Sequence, residues 1–107
     1  MKTIVRKIEW LPFTPHGWGN GYVVIPKGHP CHGKHYDDID VKVHGGLTFG
    51  EAAEGLNWPD LTEKDKEGWV VGFDTCHCDD SLSSWPKVKV EKETRRLAKQ
   101  LEAMNKK

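Results

Sequence analysis

The densest run of reactive side chains is Asp74-Thr-Cys-His-Cys-Asp-Asp80, where Asp74, Cys76, His77, Cys78, Asp79 and Asp80 can each carry a proton or bind a cation. Within it, Asp74-x-x-His77-x-x-Asp80 sets carboxylates on either side of an imidazole. That is the arrangement that orients a general base or a metal-bound histidine. Cys76-x-Cys78 lacks the Cys-x-x-Cys spacing of a zinc knuckle, and there is no second cysteine pair. A four-ligand structural zinc site would have to borrow histidines from elsewhere. The plain alternative for Asp74 or Asp80 is acceptance of backbone N–H groups in a tight turn.

A second group comprises His29, Cys31, His32 and His35, with Asp37 and Asp38 just behind. Neutral imidazoles suit zinc and similar ions. Pro26, Gly28, Pro30 and Gly33 forbid a helix here, so the spacing fixes no geometry, and a self-capping polar loop accounts for it equally well. The third piece is His44-Gly-Gly-Leu-Thr48. Gly45 and Gly46 free the backbone to approach a ligand and present amide N–H groups to an anion, with His44 as proton donor. The expected catalytic set is therefore His44, Asp74 and His77. The expected ligand-binding set is His29, His35, Asp38, Gly45 and Gly46, and a divalent metal such as zinc would fall to Asp74, His77 and Asp80. A Cys–His nucleophilic pair, Cys31 or Cys76 with His44, is the competing chemistry. Phosphate-loop, nucleophile-elbow and His-Glu-x-x-His motifs are absent.

These groups need a scaffold. Trp69-Val-Val-Gly-Phe73 is apolar at consecutive positions, as a central strand covered on both faces requires, and a strand over 69–74 delivers Asp74 into the loop beyond it. Alternation and β-branched enrichment place further strands at about 3–11, 21–26 and 39–49, the last with Ile39, Val41 and Val43 facing inward. Residues 12–21 form a connection, with Asn20-Gly21 as its turn signal. Residues 50–68 form an exposed connection anchored by Trp58 and Leu61. Val90, Thr94, Leu97, Leu101 and Met104 make one helical stripe, giving a helix over about 88–105. The expected architecture is α+β: a single domain over 1–107 with a small, mostly antiparallel sheet of four or five strands and one C-terminal helix packed on it. If strand three lies beside the central strand, His44 and Asp74 converge.

Composition narrows the function. Sixteen basic residues balance sixteen acidic ones in 107, so no global basic field draws the chain to nucleic acid, and only a local basic patch could do so. No apolar run approaches the roughly 20 residues needed to cross a bilayer, and the N-terminus has no signal-peptide core. Three cysteines do not make a disulfide framework. A cytoplasmic protein is expected. Of five tryptophans, Trp10, Trp18, Trp58, Trp69 and Trp85, most should be core, with one or two free to wall a planar ligand. The heptad-like spacing of the last helix would also suit a partner helix or a second copy of the chain.

The segments Gly21-Tyr-Val-Val-Ile-Pro-Lys-Gly-His29-Pro, Gly33-Lys-His35-Tyr-Asp-Asp38, Val43-His-Gly-Gly-Leu-Thr-Phe49, Trp69-Val-Val-Gly-Phe-Asp74 with His77 and Asp80, and Leu97-Ala-Lys-Gln-Leu101 together resemble a family of small bacteriophage-encoded proteins. The resemblance covers most of the chain and carries over no activity. It implies that His29, His35, Asp38, His44, Asp74, His77 and Asp80 belong to the shared pattern and that the cysteines do not, which favours a His/Asp site. By analogy it implies work inside an infected bacterial cell, on host nucleotides or signalling molecules.

The functional expectation is a His/Asp pocket that binds, and hydrolyses if it is an enzyme, a small anionic ligand such as a nucleotide, with or without a divalent metal. His77 or His44 would be the acid/base and Asp74 the orienting carboxylate. The alternative is a non-enzymatic interaction protein that engages a host protein through its tryptophans and C-terminal helix.

Overall fold

The computed structural model describes residues 1–9 and 15–104. Positions 10–11 of the first expected strand, Trp10 and position 105 of the expected helix lie outside the described residues. Among the described residues four strands, β1 (Lys2–Lys7), β2 (Gly19–Ile25), β3 (Phe49–Ala52) and β4 (Trp69–Phe73), form one sheet in the order β1-β2-β4-β3, and one α-helix, α1 (Lys87–Met104), follows. Every neighbouring pair is antiparallel. The fold is α+β, as the sequence pattern implied.

β2 and β4 occupy the middle of the sheet, which accounts for their unbroken apolar runs. Val23, Ile25, Val71 and Phe73 point to one face and pack with Val90, Leu97, Ala98 and Leu101 of α1. Tyr22, Val24 and Val70 point to the other and pack with Ile4, Ala53 and Leu61, with Phe49, Leu56 and Trp58 alongside. The second face is thus closed by the 53–61 connection, which opens with a single 3-10 turn at Ala53–Gly55, and not by an α-helix. Among the described tryptophans, Trp85 is buried and Trp18, Trp58 and Trp69 are half-buried against these two clusters. The exposed large apolar side chains among the described residues are Leu82 and Val88.

The expected stripe of α1 is the buried one: Val90, Thr94, Leu97 and Leu101 face the sheet, joined by Ala98, while Met104 is half-buried at its end. The helix crosses β2 so closely that a Cβ on Gly21 would lie 2.0 Å from Thr94 Oγ1 and 2.5 Å from the Phe73 ring. This overturns the reading of Asn20-Gly21 as a turn. Gly21 is a strand residue paired with Val5 and Phe73, and its missing side chain makes room for the helix.

The expected strand over 39–49 is also corrected. Only Phe49–Ala52 forms a strand beside β4, with Thr48 N–H donating to the Gly72 carbonyl at 2.9 Å as the chain joins it, and residues 39–47 run outside the sheet. The alternation there reported burial faithfully, since Ile39 and Val43 are buried and Val41 packs partly against the same core. Its backbone partner, however, is a side chain. The Lys42 N–H donates to Gln100 Oε1 at 2.8 Å, and Gln100 Nε2 donates back to the Lys42 carbonyl at 2.8 Å. One helical amide meets the hydrogen-bonding need that a neighbouring strand would have met. This strap lies along α1 and carries His44 at its far end.

Candidate functional site

The loop that follows β4 is fixed before its reactive groups come into play. Thr75, fully buried, donates its hydroxyl to the Gly19 carbonyl at 2.8 Å, and its own carbonyl accepts from Gly17 N–H at 2.7 Å. Trp18 N–H donates to the Trp85 carbonyl at 2.8 Å, which ties the end of the loop to the start of β2. A Cβ on Gly17 would collide with Thr75 and with the Trp85 side chain. Residues 74–85 are therefore clamped at both ends.

Inside the clamp Asp74 and Asp80 each satisfy backbone donors. Asp74 Oδ1 accepts from Cys76 N–H at 3.0 Å, an Asx turn. Asp80 N–H donates to the His77 carbonyl at 2.9 Å while Asp80 Oδ2 accepts from His77 N–H at 2.9 Å. The turn brings the His77 ring back onto the same carboxylate, with Nδ1 3.0 Å from Asp80 Oδ2. Its other nitrogen, Nε2, faces Asp74 Oδ1 at 3.5 Å. His77 is thus held between two carboxylates.

His44 arrives from the strap. Its Nε2 lies 2.8 and 3.0 Å from the two oxygens of Asp80. Its backbone N–H donates to Glu93 Oε2 at 2.8 Å, and Arg96 holds Glu93 from the other side. Its ring is stacked on Trp85, with centroids 4.1 Å apart and planes inclined by 35°, and stands perpendicular to His77 at 5.1 Å. Gly45 completes the fit. Its backbone has φ +69°, and a Cβ there would lie 2.2 Å from His77 Cε1. The freedom expected of Gly45 is thus used to admit the His77 ring. Gly46, with φ +80° and open space around its Cα, closes the bend.

The result is three ligating atoms, one each from His44, His77 and Asp80, all within 4.8 Å of one another. Asp80 is only 3% exposed at its side chain, against 24% for His44 and 36% for His77, so the two imidazoles form the rim and the carboxylate the floor. Asp80 feels opposing influences. Burial, the largest single one, raises its carboxyl, but donation from His44, from the His77 amide and from the His77 ring together bring it below the usual carboxylate value. The carboxylate is therefore an anion with two rings converging on it.

Of the expected site residues, His44, Asp74, His77, Asp80 and Gly45 come together, with Asp74 behind His77 and outside the converging trio. None of the 29–38 group joins the trio. His29 is buried, its Nε2–H donating to the Leu101 carbonyl at 2.6 Å and its Nδ1 accepting from Cys31 N–H at 2.9 Å. Both ring nitrogens are spent on backbone groups. His35 caps a single turn at Tyr36–Asp38 by accepting from Asp37 N–H, and it stacks on Tyr36. Asp38 is exposed in that turn. The cysteines divide as well. Cys31 is buried with its Sγ 3.5 Å from Met104 Sδ, and Cys76 and Cys78 are exposed. Although the residue as a whole is exposed, partial desolvation of its sulfur and the charges of Asp74 and Asp80 push the Cys76 thiol up, away from the thiolate a nucleophile needs.

Trp85 and Glu93, which hold His44 by its ring face and by its backbone amide, were not among the expected site residues. Trp85 had a signal in the surplus of tryptophans, although the ring it supports belongs to the protein. Glu93 has none, because one Glu in a charged helix resembles any other. No family model matches the chain, and neither a curated protein nor a solved structure matches it.

Proposed function

We propose that this protein binds a divalent transition-metal ion through His44, His77 and Asp80 and uses that ion to hold, and where water is activated to hydrolyse, a small anionic ligand such as a nucleotide. One observation carries the reading: two imidazole nitrogens lie 2.8–3.0 Å from a buried carboxylate that has no other side-chain partner among the described residues. Ligands at about 2.1 Å from a tetrahedral ion stand about 3.4 Å apart, so a small outward movement of the rings opens a seat for the ion. Two nitrogens and one oxygen suit zinc or a neighbouring first-row ion and leave positions for water and ligand. Asp74 supports the same reading, since a metal-bound histidine usually gives its second N–H to a carboxylate, and Asp74 stands opposite the second nitrogen of His77.

The charge balance explains why an anionic ligand calls for the ion. Asp74, Asp79 and Asp80 fall within seven residues, and without a cation that loop repels an anion. With the ion bound, it supplies the Lewis acidity and lowers the pKa of a coordinated water. His44 and His77 then fix the geometry, Trp85 holds the His44 plane, and Asp74 keeps His77 in one orientation. The tryptophan-mediated alternative has less to stand on, because the described tryptophans are packed into the two cores.

The test is zinc binding to metal-stripped protein by competition with a chromogenic chelator, alongside elemental analysis. One equivalent per chain is expected, lost in His44→Ala and in His77→Ala while both variants remain folded. Folded wild-type protein that takes up no zinc, cobalt, manganese or iron(II) overturns the reading. A nucleotide thermal-shift screen with and without the ion then checks the ligand, with stabilisation expected only when both are present.

A further inference from the structure

The zero net charge of the chain conceals a strongly uneven distribution. Residues 87–99 hold six basic side chains, Lys87, Lys89, Lys92, Arg95, Arg96 and Lys99, against two acidic ones, Glu91 and Glu93. The rest of the chain is correspondingly acidic. α1 turns its apolar stripe to the sheet, so these cations are confined to the outward side, where Lys89, Lys92, Arg95, Arg96 and Lys99 are all exposed. Lys92, Arg95, Arg96 and Lys99 line one shallow groove. Arg96 is held by Glu93, but Lys92, Arg95 and Lys99 have no acidic partner among the described residues. Three unneutralised cations at i, i+3 and i+7 repel one another in the free protein, so a polyanion bound there relieves that repulsion.

We infer that the outward face of α1 is a docking surface for the phosphate backbone of duplex nucleic acid. From Lys89 to Lys99 the cations extend about 15 Å along the helix, which spans several phosphates and exceeds the need of one. An anionic membrane suits the face poorly, because α1 has already buried Val90, Leu97 and Leu101 and keeps only Val88 to insert. A protein partner would call for an apolar or aromatic centre, and Val88 is again the lone exposed large apolar side chain of the helix. A single strand is usually gripped by stacking aromatics, and Trp85 is buried beneath Lys89, whose Nζ lies 4.5 Å from its ring centroid. Contacts to phosphate oxygens carry no sequence information, so recognition through this face is independent of sequence. The face also borders the candidate metal centre, because Lys89 covers the tryptophan on which His44 stacks and Arg96 holds the glutamate bound to the His44 amide. The docking surface stands whether or not that centre holds an ion.

The test is fluorescence anisotropy with a labelled duplex DNA of about 16 base pairs, read across a salt series. Four phosphate contacts, from Lys89, Lys92, Arg95 and Lys99, predict about 100-fold weaker binding between about 50 and 200 mM salt. The triple change Lys92→Gln, Arg95→Gln, Lys99→Gln keeps exposed helix formers in place. It should weaken binding at least tenfold and flatten the salt dependence to about a quarter of its slope. Removing the same charge elsewhere, with Lys27→Gln, Lys34→Gln and Lys64→Gln, should change affinity less than twofold, and His77→Ala should leave it unchanged. The inference is overturned by no anisotropy change up to about 100 µM protein at low salt, by equal losses in the two triple variants, or by binding to phosphatidylserine vesicles in preference to the duplex.

Discussion

Two loops of this protein share a vocabulary of histidine, cysteine and aspartate and use it in opposite ways. In residues 29–38 each placed imidazole accepts or donates to the backbone. His29 spans the end of α1 and the start of its own turn, His32 reaches the Glu67 carbonyl, and His35 caps a single turn. In residues 44–80 both rings converge on a side chain, Asp80, that is buried and charged. The difference is what remains available. A histidine whose nitrogens pair with amides and carbonyls has completed a structural task, whereas two rings sharing one carboxylate are placed to take up a common ion together with it. Histidine density alone therefore identifies neither loop as a site. The shared buried acceptor is what makes the second loop a candidate.

That contrast can be broken by mutation. His29→Ala should have the largest effect on stability, since it leaves the Leu101 carbonyl and the Cys31 amide unpaired beside a new cavity. A loss of about 3–5 kcal/mol in urea melts is expected, with zinc stoichiometry unchanged in the molecules that remain folded. Asp80→Asn should invert the pattern, abolishing zinc uptake while costing about 1.5–3 kcal/mol for the lost charge-assisted bonds. If His29→Ala also strips the metal at fixed fold, the two loops are not independent. Asp74→Asn should weaken zinc binding about 10–100-fold, because it removes the carboxylate behind His77 and leaves the three ligands in place; chelator competition reads this directly.

Two glycine changes refine the comparison. Gly33→Ala and Gly45→Ala both force alanine into a left-handed backbone, at φ +82° and +69°, and each should cost about 1 kcal/mol in thermal melts for that reason. Gly33 faces open space, but the new methyl at Gly45 strikes the His77 ring. Only Gly45→Ala should also lower zinc affinity. Equal zinc binding in the two variants would show that the Gly45–His77 contact has no bearing on the site.

The smallest effect is in pH. Asp80 in the folded, metal-free protein lies below its ordinary value of 3.8. Its contribution is therefore present above the unfolded-state value and is lost as pH falls through the depressed folded one. The stability gap between wild type and Asp80→Asn should be level through neutral pH and close only below about pH 4. A gap that stays open well below that pH would show that the Asp80 charge does not carry the stabilisation.

Much of the fold was legible because its signals are local. The stripe Val90, Thr94, Leu97, Leu101 needs only the helical period, and the run Trp69–Phe73 needs only burial on both faces. The alternation at 39–43 was local too, and it reported which side chains are buried without naming the partner of the backbone, which proved to be Gln100. Asn20-Gly21 misled because a glycine that permits a turn and a glycine that admits a crossing helix are the same residue until the helix is placed. The pairing of His77 with Asp80 was readable at a separation of three, and the surplus of carboxylates around it pointed the same way.

The sequence by itself determined the α+β class, the amphipathic helix, the doubly covered central strand and the His77–Asp80 half of the site. Each of these depends on residues within a few positions of one another, where backbone geometry permits few outcomes. Only the tertiary structure decided that His44 crosses 36 residues to complete the trio and that His29 crosses 72 to secure a helix end. It likewise turned the basic side chains of residues 87–99 to the outward side of α1, away from the sheet. Which carboxylate, carbonyl or solvent a side chain meets depends on how elements dock. Docking is fixed by the packing of the two cores, from Gly21 beneath Thr94 to Trp85 beneath His44.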